Sequence, residues 1–145
     1  SCGGMQEHVK LGDIVMASGS STDTNYAHQY HLPGSFSAVP SFDLLSMAVE
    51  EAEKNRFPYI VGNVISSDIF YNETPEWKEW AKMGVLAAEM ESFALYCNAA
   101  RAGVRALGIF TVSDSMVSGE EMSAEERQNG FTNMMKVALG VAVRL

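Results

Sequence analysis

The sequence has few basic residues and no long apolar run, and each shortage argues against a class of protein. Ten Lys and Arg stand against 18 Asp and Glu, for a formal net charge of −8. Proteins that bind a phosphate backbone usually carry a basic face, so we expect no nucleic-acid partner. No stretch approaches the roughly 18 apolar residues of a membrane helix, and we recognise no signal peptide. We therefore expect no membrane partner either.

Cysteine is also scarce. Cys2 and Cys97 are too few for a disulfide framework and lack the spacing of a metal site. His28 and His31 lie three residues apart, but no third ligand accompanies them. We therefore expect a cytoplasmic protein without a metal site.

The length and apolar content predict a folded domain. The chain has 145 residues, of which 47% are hydrophobic, which excludes a disordered chain and suffices for one core. It starts Ser1-Cys2-Gly3-Gly4, without Met, and this Gly-rich start is typical of a turn after a strand. We interpret the chain as the later part of a longer protein.

Short apolar runs alternate with amphipathic segments along the chain. The runs predict buried strands, and Ser or Thr caps before the amphipathic segments predict helix starts. Strands are predicted at 13–18, 59–65, 85–90 and 105–113, and a long loop is predicted at 19–40. Helices are predicted at 76–83, 91–102 and 123–144, and a further helix is predicted to start after Ser41 as its N-cap. This order predicts an α/β fold with a mainly parallel or mixed sheet flanked by helices, as one domain over residues 1–145.

Acidic and hydroxyl side chains follow three of the predicted strands. They are Ser66-Ser67-Asp68, Glu89-Met90-Glu91-Ser92 and Ser113-Asp114-Ser115. Ligands of open α/β sheets bind beyond the carboxyl ends of the strands. We therefore expect a binding site where these three segments converge.

Glu89 and Glu91 have two interpretations. Two residues apart in an extended chain, they point to one face, where two carboxylates could accept hydrogen bonds from the vicinal hydroxyls of a ribose. In the structural alternative Glu91 begins a helix, where its charge suits the dipole, and Glu89 is merely exposed. The residues alone leave both open.

Asp114 and Arg127 also have two interpretations each. Asp114 is either a cap or turn acid, or a partly buried acid that donates a proton. Arg127 lies near the start of the last predicted helix, where a cation opposes the helix dipole. A salt bridge to a neighbouring Glu would explain Arg127 without a functional role.

Taken together, the motifs resemble one family. They are Ser1-Cys2-Gly3-Gly4, Asp68-Ile69-Phe70-Tyr71, Glu89-Met90-Glu91-Ser92, Thr111-Val112-Ser113-Asp114 and Ala124-Glu125-Glu126-Arg127-Gln128. Their order and spacing are similar to those of the bacterial-type hexameric purine nucleoside phosphorylases, over the whole chain. Glu-Met-Glu and Val-Ser-Asp are typical of the wider nucleoside phosphorylase and nucleosidase superfamily, and Glu-Arg-Gln narrows the resemblance to the purine phosphorylases.

The resemblance implies an enzyme of purine salvage. Its reaction is the reversible phosphorolysis of purine (2′-deoxy)ribonucleosides to the base and (deoxy)ribose 1-phosphate, with inorganic phosphate as co-substrate and no cofactor. It also implies the superfamily fold without its N-terminal part, which carries most of the phosphate site, and a homo-oligomer, with a hexamer as first choice. We therefore expect the segment alone to be inactive, and its missing strands to leave an exposed sheet edge.

The resemblance assigns the catalytic and base-side residues. Asp114 resembles the acid that protonates the purine at N7, Arg127 the residue that moves toward it to assist, and Ser113 a neighbour of the base. The family commonly has His where this chain has Ser115, and the loop 19–40 also differs. Both are expected to border the base pocket, so base preference stays open.

The same resemblance assigns the sugar and phosphate contacts. Glu91 looks like the carboxylate that binds the ribose hydroxyls, with Glu89 helping at the 2′-hydroxyl and Met90 packing on the sugar. Phe70 resembles the aromatic residue beside base and sugar, and Ser1 the hydroxyl that contacts phosphate. Two alternatives remain: a purine nucleosidase of the same superfamily, which uses water, and a non-catalytic nucleoside-binding or assembly module.

Overall fold

Apolar runs form the strands of the protein, and the amphipathic segments between them form its helices. The computed structural model describes residues 1–70 and 72–145, so Tyr71 of the Asp68–Tyr71 motif lies outside the described residues. The strands are β1 (Cys2–Gly4), β2 (Ile14–Thr22), β3 (Tyr59–Ser66), β4 (Ala87–Glu89) and β5 (Ile109–Ser115). The helices are α1 (Phe42–Asn55), α2 (Trp77–Lys82), α3 (Ser92–Ala102), α4 (Ala124–Gly130) and α5 (Thr132–Ala142), with a 3₁₀ helix at Tyr26–Tyr30.

The five strands close into a barrel in the order β1-β4-β3-β2-β5. β3 runs parallel to both β2 and β4, and β1 runs parallel to β5; the pairs β1–β4 and β2–β5 are antiparallel. The α/β class and the mixed sheet flanked by helices are confirmed. The expected exposed sheet edge is wrong for these strands, because β1 lies between β4 and β5 and closes the barrel. The single domain over residues 1–145 stays a prediction.

The first residues form a strand rather than the predicted turn. Cys2–Gly4 is buried, and Gly3 pairs with Ala88 on one side and Asp114 on the other. A Cβ on Gly3 would lie 2.7 Å from Oδ2 of Asp114. The glycine therefore supplies the room that β1 needs between its two neighbours.

Alternate residues of β2 face two apolar clusters, as the two-residue repeat of a strand requires. Ile14 and Met16 pack in the cluster that contains α1 and α5 residues, whereas Val15 and Ala17 pack in the cluster that contains α3 residues. All four side chains are fully buried. β2 is thus covered on both faces and supports the rest of the barrel.

The predicted final helix is in fact two helices. The capping box that starts α4 is confirmed, because Ser123 accepts a hydrogen bond from the Glu126 amide and Glu126 accepts one from the Ser123 amide. The helix nevertheless ends at Gly130, a poor helix former, and α5 starts after Phe131.

Two smaller predictions hold only in part. β2 continues to Thr22, so the predicted loop at 19–40 begins later than expected. Ser41 occupies the N-cap position of α1, as predicted, but its hydroxyl makes no capping hydrogen bond and accepts one from the Ala106 amide instead. Among the described residues, none of the helices combines the length and the apolar character needed to cross a membrane.

Candidate active site

A cavity of about 310 Å³ opens where β3, β4 and β5 end. This volume lies at the lower end of the range for small-molecule sites. All eight residues that the sequence analysis selected line it: Ser1, Phe70, Glu89, Met90, Glu91, Ser113, Asp114 and Arg127. The structure therefore brings together the three strand endings that were expected to converge, and the individual roles stay predictions.

Asp114 is half-buried near the end of β5. Its Oδ1 accepts a hydrogen bond of 2.9 Å from the Ser113 hydroxyl, which also lies 3.4 Å from the carbonyl oxygen of Cys2. The backbone of Asp114 forms an isolated antiparallel bridge with Glu121. Asp114 is thus a strand residue rather than a helix cap, and a hydroxyl holds one side of its carboxyl group.

Arg127 reaches the same cavity from α4. Its Nη2 lies 3.4 Å from Oε2 of Glu121, and its Nε donates to the carbonyl oxygen of Met122 over 3.1 Å. Arg127 thus forms a salt bridge to a glutamate, as the structural alternative supposed, but to Glu121 rather than to Glu125 or Glu126 of its own helix. Since both side chains of this pair are largely exposed, the pair is weak and leaves Arg127 able to move.

The two carboxylates of the Glu-Met-Glu motif differ sharply in burial. Glu91 is exposed at the start of α3, and its Oε2 lies 3.3 Å from the Met90 amide nitrogen. Glu89 is only 5% exposed. The structural alternative predicted an exposed Glu89 and is wrong on that point, although Glu91 does precede the first residue of α3.

An aromatic wall that the sequence analysis missed completes the cavity. Trp77 and Trp80 of α2 line it together with Phe70. They are the only two tryptophans in the chain. Their spacing of three residues places them on one face of a helix, a signal that the sequence analysis did not use.

Acidic groups dominate the charge of the cavity wall. Among the lining residues of the described chain, one arginine, Arg127, stands against five acids: Asp23, Glu76, Glu89, Glu91 and Asp114. Carboxylates accept hydrogen bonds from sugar hydroxyls but oppose an anion. Within the part of the chain that the structure describes, no group of three or more His, Cys, Asp or Glu side chains could hold a metal ion.

Of the two features expected to border the base pocket, Ser115 and the segment 19–40, only one residue lines this cavity. Ser115 does not line the cavity; its hydroxyl accepts a hydrogen bond from the Ser118 amide in the turn after β5. Of the residues at 19–40, Asp23 lines the cavity, and its Oδ2 accepts a hydrogen bond of 2.9 Å from the Ser67 hydroxyl. The other residues of that segment do not line this cavity, although many of them line a second cavity that shares Trp80 with it.

Cys2 also lines the cavity but is a poor nucleophile. Burial raises the pKa of its thiol to about 12. Since the thiolate is the reactive form, Cys2 is inert at neutral pH. The chemistry of the cavity therefore depends on carboxyl groups, hydroxyl groups and the arginine.

A closed mixed barrel with helices around it, and with acids and hydroxyls lining a cavity at its strand ends, defines the class as an α/β protein. The sequence matches the phosphorylase superfamily over residues 1–145, and the chain belongs to that family.

Named relatives give a narrower comparison. The chain is 47% identical over 146 residues to a DeoD-type purine nucleoside phosphorylase of Clostridium beijerinckii and 42% identical over 145 residues to one of Geobacillus sp. (strain WCH70). It is also 42% identical over 146 residues to a type 2 protein of that name from Vibrio cholerae. Each comparison covers 100% of this chain, which spans 62% of the length of each relative.

Proposed function

We propose that the native protein containing this chain is a purine nucleoside phosphorylase. The observation that carries the proposal is the single cavity in which the Asp114 carboxyl, the Glu91 carboxylate and an aromatic wall meet. A purine nucleoside needs these three groups: a proton donor for the base, an acceptor for the sugar hydroxyls and an apolar surface for the rings. The names of the relatives support the same substrate class.

The chemistry follows from the charges that develop during cleavage. As the bond between C1′ and the purine nitrogen breaks, its electron pair passes to the purine and positive charge develops on the ribose. Asp114 gives its proton to N7 and so neutralises the leaving base, while a phosphate oxygen forms the new bond to C1′. Positioned proton donation contributes about 10²–10⁴ in rate.

Arg127 acts after the proton leaves. An arginine beside a carboxyl favours its ionised form, so a permanent contact would oppose proton donation by Asp114. In the resting state Arg127 pairs weakly with Glu121 instead of with Asp114. Approach of Arg127 as Asp114 becomes negative then stabilises the product carboxylate.

Phosphate binding needs more positive charge than this cavity wall supplies. The wall offers the Ser1 hydroxyl as a donor and Arg127 as a cation, against five acids. We propose that further phosphate-binding groups come from the rest of the native protein or from a neighbouring subunit of a homo-oligomer, with a hexamer as first choice. We place the enzyme in the cytoplasm, where phosphate and nucleosides are both available.

The test measures release of purine from inosine and adenosine by the native full-length protein, with and without inorganic phosphate. We expect release to require phosphate and to produce ribose 1-phosphate. Equal release without phosphate would identify a nucleosidase that uses water, and binding of nucleoside without release would identify a binding module. The 145-residue chain alone is the control and should release no base.

A further inference from the structure

The Glu89 carboxylate is buried in the wall of the cavity without a cation beside it. Glu89 is 5% exposed, and none of the ion pairs among the described residues includes it. Burial of a carboxylate is costly unless hydrogen-bond donors replace the lost water. The groups that donate hydrogen bonds to Glu89 therefore indicate the role of its carboxylate.

The Glu89 carboxylate accepts hydrogen bonds from four neutral donors. The hydroxyls of Ser66 and Ser92 both donate to Oε1, the latter over 2.6 Å. The amides of Glu91 and Ser92 donate to Oε2 over 2.8 and 2.7 Å. A carboxylate offers about four lone-pair sites, so the contact with a 2′-hydroxyl that the resemblance implies would require one of these bonds to break.

A buried cluster of serines fixes these donors in place. The Oγ atoms of Ser92 and Ser20 lie 2.9 Å apart, those of Ser20 and Ser66 lie 3.2 Å apart, and Ser66 also accepts from the Phe93 amide over 2.9 Å. These three serines are at most 7% exposed and come from β2, β3 and α3. The cluster therefore joins Glu89 to three separate elements of the fold.

The backbone bonds of Glu89 determine where Glu91 stands. Met90 and Glu91 form the whole connection between β4 and α3. By accepting from the amides of Glu91 and Ser92, Glu89 holds the end of that connection. The exposed Glu91 carboxylate is thereby presented to the cavity.

We propose that Glu89 is a positioning residue for the sugar site and does not itself contact the substrate. It holds the backbone of Glu91 so that the Glu91 carboxylate meets the ribose hydroxyls, and Ser20, Ser66 and Ser92 hold Glu89. This inference rests on the proposed function, because it assigns the ribose contact to Glu91.

A double-mutant cycle in the native full-length protein tests the inference. The variants are Glu89→Ala, Glu91→Gln and the two combined, and the readout is the change in tryptophan fluorescence on binding, since Trp77 and Trp80 line the cavity. The probes are adenosine, its 2′-deoxy and 3′-deoxy analogues, and 2′,3′-dideoxyadenosine. Glu79→Ala, which removes an exposed carboxylate paired with Lys82, is the control and should not change binding.

We expect each single variant to bind adenosine about tenfold to a hundredfold more weakly, the effect of a lost hydrogen bond to a charged group. The combined variant should be no weaker than the worse single variant, and binding of the dideoxy analogue should stay unchanged in all of them. A purely structural defect would weaken dideoxyadenosine binding as well. Glu89→Gln keeps an oxygen for the two amides and should restore most of the affinity, even if Glu89→Ala fails to fold.

Other outcomes overturn the inference. Additive losses, or a loss from Glu89→Ala that disappears with 2′-deoxyadenosine alone, would show direct contact with the 2′-hydroxyl. If the wild type bound adenosine and its dideoxy analogue equally well, the ribose hydroxyls would make no contact for Glu89 to support. Because the readout is binding, failure of phosphorolysis would overturn the proposed function without deciding the role of Glu89.

Discussion

The position of the Asp114 carboxyl group depends on Gly3, its neighbour in β1, having no Cβ atom. β1 passes so close to β5 that a Cβ on Gly3 would lie 2.7 Å from Oδ2 of Asp114, against 3.5 Å from Cγ of Met116. Real Cβ contacts are longer than 2.7 Å, so something must shift in a Gly3→Ala variant. The terminal carboxyl group moves more easily than the strand.

We therefore expect Gly3→Ala to lower kcat about tenfold to a hundredfold while the free energy of unfolding changes little, because a displacement near 1 Å costs up to about 10² in rate. Steady-state kinetics and denaturant unfolding of the native protein check both parts. Gly19→Ala is the matched control, since its Cβ would meet no atom closer than Oδ1 of Asn63 at 3.4 Å. A Gly3→Ala variant with wild-type kcat would show that Asp114 does not need this room.

Single residues also show what the sequence could and could not predict. Asp114, Glu91 and Arg127 stood out in the sequence as polar residues in chemistry-bearing motifs, but only the family resemblance assigned them roles, and those roles stay predictions. The burial of Glu89 was not predicted, since its partner Ser66, and Ser20 that contacts Ser66, are distant from it in the chain. The room supplied by Gly3 was missed for the same reason: it exists only after β1 and β5 pair.

Among the elements, α3 is tied to the barrel by a second buried hydroxyl besides that of Ser92. Tyr96 is 1% exposed; its hydroxyl donates to the carbonyl of Ala17 over 2.7 Å and accepts from the amide of Gly108 over 2.9 Å. Burial is the main reason that the pKa of Tyr96 rises to about 12. One side chain thus joins α3, β2 and the segment that leads into β5.

Tyr96→Phe should therefore lower the free energy of unfolding by about 2–4 kcal/mol, because it removes the hydrogen bonds that two buried backbone groups make with this hydroxyl. Chemical denaturation of the native protein measures this loss. Tyr30→Phe is the control: its hydroxyl donates to Asn98 at an exposed site, and its removal should change stability little. Equal effects of the two substitutions would mean that the Tyr96 hydrogen bonds do not hold α3.

The elements themselves were predictable wherever local signals were strong. Apolar runs gave β3 and β5, and the Ser123 capping box gave the start of α4. Strand β1 was missed because Cys2-Gly3-Gly4 has low strand propensity and is stabilised by its two neighbours. The break at Phe131 was missed because no proline marks it, and Gly130 alone disfavours a helix by only about 1 kcal/mol.

At the scale of the whole molecule, closure of the barrel and the acidity of the cavity matter most. Closure brings the ends of β3, β4 and β5 to one cavity, and the resulting wall favours hydroxyl donors over anions. Topology of this kind could not be predicted from the alternation of strands and helices, because closure depends on the short strand β1. The phosphate-dependent reaction proposed here thus needs more than the described wall provides.

The central claim is that Asp114 supplies the proton that the leaving purine needs. The most direct measurement compares wild type and Asp114→Asn of the native protein on inosine and on 7-methylinosine, in the presence of phosphate. A methyl group at N7 gives that base a fixed positive charge, so its departure needs no proton donor. We expect Asp114→Asn to lose at least about 10² in kcat on inosine and to keep a near wild-type rate on 7-methylinosine. An unchanged rate on inosine, or an equal loss on both nucleosides, would contradict the assignment of Asp114 as the general acid.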